Sequence, residues 1–139
     1  MKWTVRDCDK GDIIRVRLGN VYHYGVFLSE DTVVAFGYPP LPAFQKKQRE
    51  VAVLSTDIDV FSCGNMIEAP VYSFKEKLIK NSPEKVERLA LARIGETGYD
   101  LIHNNCEHFA YEVVFNKHYS EQEETVRKQW EKYNKNRRA

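Results

Sequence analysis

Two hydrophobic periods meet in this chain, and the change from one to the other constrains its fold more than any other feature. From residue 12 onward apolar and β-branched residues are dense: Ile13, Ile14, Val16 and Leu18 lead to Gly19-Asn20, and residues 21–28 follow at once. A Gly-Asn pair between two β-rich runs marks a tight hairpin. The polar turn Ser29-Glu30-Asp31 then opens a third run, residues 32–36. Turns this short suffice only for antiparallel neighbours, so the first half is expected to be an antiparallel meander. Residues 50–54 and Val60-Phe61 are further strand candidates. Between them, residues 37–49 carry three prolines, with Leu41 and Phe44 beside a basic cluster. That stretch reads as a lid, a surface-binding loop or a plain connection.

The second half changes to helical spacing. Residues 72–79 are a helix candidate. Ser82-Pro83-Glu84 starts another, with a capping Ser and Pro at the first helical position. Val86, Leu89, Ala90 and Ile94 recur there at helical intervals before Gly95. Asn105 is expected to cap a helix from Cys106 to about residue 115. In it Cys106, Phe109, Ala110, Val113 and Val114 share one core-facing stripe. Ser120-Glu121-Gln122-Glu123 opens a last, charged helix that runs past Trp130 and Tyr133. Strands followed by helices in 139 residues give one α+β domain.

Cys106 is placed where a thiol becomes a nucleophile, because free N–H groups and the helix dipole stabilise a thiolate. Its base is open among His23, His103 and His108. His108 stands two residues beyond Cys106 on the same helix and points elsewhere; His103 lies in the preceding loop. His23 lies mid-strand, with Gly25 next on its face, leaving room for another element or a substrate. A helix start packed on that strand would bring imidazole and thiol together as a Cys–His pair. His103, Cys106 and His108 are also a crowded zinc-ligand candidate without a fourth member, and no metal is expected.

Three widely spaced cysteines (Cys8, Cys63, Cys106) argue against a disulfide framework, and the start lacks the apolar run of a signal peptide, so a cytoplasmic location is expected. No stretch approaches the ~20 apolar residues of a membrane span. Residues 125–139 hold six Lys/Arg against one Glu, a solvated helix end or a peripheral contact for anionic lipid.

Gly11-Asp12-Ile13-Ile14, His23-Tyr24-Gly25-Val26-Phe27-Leu28 and Asn104-Asn105-Cys106-Glu107-His108-Phe109 together resemble the lecithin:retinol acyltransferase family, which includes the small H-rev-type phospholipase/acyltransferases. The order of these boxes matches as well, over about residues 9–118, with 119–139 left as a charged helix or tail. The resemblance implies a circularly permuted papain-like fold, an N-terminal antiparallel sheet packed on C-terminal helices. It implies that Cys106 attacks a glycerophospholipid ester and becomes acylated, with His23 as base. The acyl group then passes to an amine, an alcohol, a lysolipid or water. Asn104, Asn105, Tyr24 and His108 become supporting residues that stabilise the oxyanion or orient the pair. No cofactor and no nucleic-acid partner are implied; the partners are a phospholipid donor and an acyl acceptor, met peripherally at a membrane.

The chain departs from the family pattern in one place. A second His expected on the next strand is replaced by Ala35 or, with one inserted residue, Phe36. The alternative functions are therefore a catalytically impaired interaction module, similar to picornaviral H-box/NC-box proteins, or a papain-like peptidase or amidase.

Overall fold

A computed structural model describes residues 1–37, 51–100 and 104–138. The strands are β1 (Lys2–Thr4), β2 (Asp12–Leu18), β3 (Val21–Ser29), β4 (Thr32–Phe36), β5 (Val53–Thr56) and β6 (Ile67–Val71). They form one antiparallel sheet in the order β1-β6-β2-β3-β4-β5. The helices are α1 (Ile58–Ser62), α2 (Phe74–Ile79), α3 (Pro83–Ala92), α4 (Cys106–Phe115) and α5 (Glu121–Arg138). The protein is α+β, and the meander β2-β3-β4 is where the turn signals put it. His103 and residues 38–49 of the proline-rich loop lie outside the described residues.

Several elements differ from the sequence reading. Val60-Phe61 belongs to helix α1, not to a strand. Asp57 caps that helix, its Oδ1 accepting the Val60 N–H at 2.8 Å. Two apolar residues are too few to declare a period, so the cap decides the outcome. The strand expected at 50–54 is β5, which begins at Val53 and pairs Val53 with Phe36 and Thr56 with Val33. The helix expected from 72 begins at Phe74, behind a reciprocal Ser73–Glu76 capping box. Strands β1 and β6 carry weak signals of their own. β6 contains Glu68 and Pro70, residue types that strands disfavour. Pairing holds them in place: Arg15 of β2 meets Glu68 at 3.1 Å, and Trp3 of β1 sits opposite Pro70.

Asp12 ties the N-terminal segment to the sheet. Its buried carboxylate accepts from Arg6 at 3.0 Å, from the Asp9 N–H at 2.8 Å and from the Tyr72 hydroxyl at 2.8 Å. Such charge-assisted bonds make a buried carboxylate tolerable.

Strand alternation sorts the core into two layers. On one face Ile13, Tyr24, Val26, Val34 and Phe36 pack with Val86 and Ala90 of α3 and with Phe109, Ala110, Val113 and Val114 of α4. On the other, Ile14, Val16, Phe27, Val33 and Ala35 pack with Phe61 of α1. Gly25 belongs to this second face. A Cβ there would meet Phe61 Cε2 at 2.7 Å and Val33 Cγ1 at 3.1 Å. The space that the sequence left open beside His23 is thus filled by an aromatic ring. Gly25→Ala is expected to lower stability by about 1–3 kcal/mol through overpacking. Urea unfolding should show a clearly smaller loss in a Phe61→Leu background, which removes the clashing ring.

Candidate active site

Helix α4 begins where Asn105 places it. The Asn105 side chain accepts the His108 N–H at 3.0 Å, and His108 Nδ1 accepts the Asn105 N–H at 3.1 Å. This reciprocal box satisfies backbone donors that a buried helix start would otherwise leave unpaired. The Asn105 amide also donates to Ser120 Oγ at 3.2 Å, fastening the entry of α5 to the start of α4. His108 is therefore a capping residue that turns away from Cys106.

Cys106 occupies the first helical position, and its sulfur is almost wholly covered. Burial dominates and pushes its thiol up to about 11. Three backbone N–H groups oppose that shift: those of Tyr24, Glu107 and Cys106 itself. Tyr24 stands on β3 beyond the part of that strand that pairs with β4, Val26–Ser29. Tyr99, buried edge-on to Phe36 with ring centroids 5.2 Å apart, lies close enough to feel charge on the sulfur. Tyr99 gave no sequence signal, since it stands outside the recognisable boxes.

His23 directly precedes Tyr24, whose amide opposes the upward shift of the thiol, yet its side chain leaves β3 on the face away from the Tyr24 ring. The imidazole is fully buried and lies against Phe61, ring centroids 5.1 Å apart. It has no hydrogen-bond partner in good geometry among the described residues. The Gly37 carbonyl is the polar group it faces. Burial lowers its pKa to about 4, and the Gly37 carbonyl offsets only part of that. Ala35 shares this face, whereas Phe36 turns to the other and packs against Tyr99 and Phe109. Position 35 is thus the one from which a second imidazole would have met His23.

The remaining expected site residues hold the frame. Tyr24 presents its hydroxyl to Glu107 and accepts from Arg15 at 3.4 Å. Asn104 donates to the Gly98 carbonyl at 3.1 Å and pairs by backbone with Asp100, so its side chain supports the loop ahead of α4. The sequence reading named Glu123 only in the capping box that opens α5 and did not mention His118. His108, His118 and Glu123 place potential metal-ligand atoms within 4.8 Å of one another, with the two imidazoles stacked at 4.0 Å. Tautomer chemistry argues against a metal there. With Nδ1 of His108 accepting the Asn105 amide, the proton of the neutral ring sits on Nε2. That nitrogen faces Glu123 Oε2 at 2.6 Å, so no lone pair is left for a cation.

Cys106 at a capped helix start, behind a His-bearing strand and a Gly-Asp strand, is the arrangement the three sequence boxes describe. The family model for lecithin retinol acyltransferase matches residues 6–119. The chain belongs to that family. The family consists in general of acyltransferases and phospholipase-type enzymes of lipid metabolism. The match covers every element from β2 to α4 and stops short of α5. No curated protein matches the chain individually. Among the described residues, no helix is long and apolar enough to cross a membrane.

The buried His23 makes stability depend on pH. Its pKa is about 4 in the folded protein, against 6.5 unperturbed. Between those values the unfolded chain binds a proton that the folded chain does not. This contribution is therefore fully present above about pH 6.5 and is lost as pH falls toward 4, by roughly 3 kcal/mol. Urea unfolding from pH 7.5 to 4.5 should show this slope, and His23→Leu should remove that share of it.

Proposed function

We propose that this protein is a cysteine-dependent acyltransferase or phospholipase A-type enzyme that carries an acyl group from a glycerophospholipid as a thioester on Cys106. One observation carries the reading: three backbone amides converge on a thiol at the capped start of α4. Donors held in that way stabilise negative charge on sulfur, and afterwards on the oxygen of a tetrahedral intermediate. In the reaction, His23 takes the thiol proton and the thiolate attacks the ester carbonyl carbon. The carbonyl–oxygen bond to glycerol breaks, and the lysolipid alkoxide receives the proton. An amine, alcohol, lysolipid or water then attacks the thioester and releases the thiolate.

His23 is neutral at pH 7, as a base must be, and directly precedes Tyr24 in β3. Its ring lies on Phe61, on the other side of the sheet from the thiol, so the role requires β3 to repack and bring the two to one side, with the Gly37 carbonyl in the orienting place that Ala35 cannot fill. The family relationship also supports reading the sheet and helices as a circularly permuted papain-like domain. Exposed Trp130 and Tyr133 among the lysines and arginines of α5 support peripheral contact with a lipid surface.

A second reading has its own observation. His23 points to the sheet face opposite the one that α4 and Cys106 cover, and the thiol is deeply protonated. A domain that keeps the fold and binds a partner without turnover would look the same. Intact-mass analysis after incubation with phospholipids of several head groups separates the two. The enzyme reading expects an acyl adduct that disappears in Cys106→Ser. Lipid cleavage should fall by about 10²–10⁴-fold in His23→Gln. A folded protein that shows neither adduct nor cleavage is the non-catalytic module. Its Cys106 should then alkylate appreciably only as pH approaches about 11.

A further inference from the structure

Beside the start of α4, on the face away from His23, lies a cleft of about 310 Å³. Its walls are Trp3, Tyr24, Tyr111, Phe115 and Tyr119. Trp3 and Tyr24 meet edge-on at 5.9 Å, and Tyr111 meets Tyr119 in the same way at 5.0 Å. Three carboxylates border this aromatic lining: Glu76, Glu107 and Glu121. Lys117 and the Met1 end are the cationic groups at its rim.

Glu107 is the unusual member. It is 6% exposed, and burial raises its pKa. It accepts from the Glu121 N–H at 3.0 Å and from the hydroxyls of Ser120 and Tyr24. All three donors are neutral. Among the described residues, no Lys, Arg or His nitrogen lies within ion-pairing distance of it. Arg15 is committed to Glu68 at 3.1 Å and donates to the Tyr24 hydroxyl at 3.4 Å. It also stacks over Trp3 and Tyr22, at 4.4 and 3.9 Å from the ring centroids. A buried carboxylate without a counterion is costly, and one that opens on a cleft can take its counterion from outside.

We propose that this cleft binds a small alkylammonium cation, held among the aromatic side chains of Trp3, Tyr24, Tyr111 and Tyr119 and neutralised by Glu107. The chemistry selects that class. Calcium or magnesium needs a shell of oxygen ligands, which aromatic walls do not offer. An uncharged ligand would leave Glu107 as it is. Methylated or alkylated ammonium is large and weakly hydrated, so it gains from ring faces and a carboxylate together. The site does not depend on whether Cys106 turns over.

The test uses the Trp130→Phe protein, in which Trp3 is the sole tryptophan. Its fluorescence is titrated with tetramethylammonium chloride and with choline, against sodium chloride at equal ionic strength and the neutral tert-butyl analogue of choline. A saturable change is expected with both cations and not with either control. Glu107→Gln is expected to weaken binding by about fivefold or more. Glu121→Gln and Tyr119→Ala, at the cleft mouth, serve if the buried substitution unfolds the chain, as circular dichroism would report. The absence of saturation, an equal response to the neutral analogue, or an unchanged affinity in all folded variants overturns the proposal. Phosphatidylcholine and phosphatidylglycerol vesicles distinguish the source. A response to phosphatidylcholine vesicles assigns the cation to a lipid head group, and one to soluble choline alone assigns it to a free amine.

Discussion

Asn105 is the residue on which the described site depends. One side chain accepts the His108 amide and donates to Ser120, while its own N–H goes to His108 Nδ1. Those bonds close the N-terminus of α4 inside the protein, where open donors would each cost as much as a lost hydrogen bond. They also set Cys106 at the first helical position and draw α5 against α4. Without this box the thiol would have neither a fixed place nor a set of converging amides.

The sheet divides the chemistry between its two sides. Cys106, Tyr24 and the α4 stripe occupy one face, and His23, Ala35 and Phe61 the other. The peptide between His23 and Tyr24 is the point at which the two sides meet. Desolvation acts on both titrating groups in the direction of neutrality: it keeps the thiol protonated and the imidazole uncharged. A neutral resting pair buried in apolar surroundings is compatible with a stable core. Its conversion into a thiolate–imidazolium pair would need a rearrangement of β3 that brings both side chains to one side of the sheet.

Glu107 connects this arrangement to the cleft on the α4 side. It follows the nucleophile in sequence, suits the positive end of the helix dipole and lies between Ser120, Tyr24 and the Glu121 amide. Its position means that a change in the cleft's occupancy acts one residue from the thiol. Glu107 was read from the sequence only as a helix-start residue within the Asn-Cys-Glu-His-Phe box.

Much of the frame was legible because local chemistry specified it. Gly19-Asn20 turned the β2–β3 hairpin, Ser82-Pro83 opened α3, and Asn105 with the Cys106–Val114 stripe defined α4. Strands β1 and β6 and helix α1 escaped because each is five residues or shorter, the strands being held by partners far along the chain and the helix by its Asp57 cap. The sequence by itself determined the α+β class, the helix start beneath Cys106 and the family. Only the tertiary structure decided that Phe61 fills the space over Gly25, that position 35 shares the His23 face, and that Asp12 clamps the N-terminal segment. Those outcomes rest on contacts between residues tens of positions apart, and local propensity carries no information about which face of a sheet a distant ring will cover.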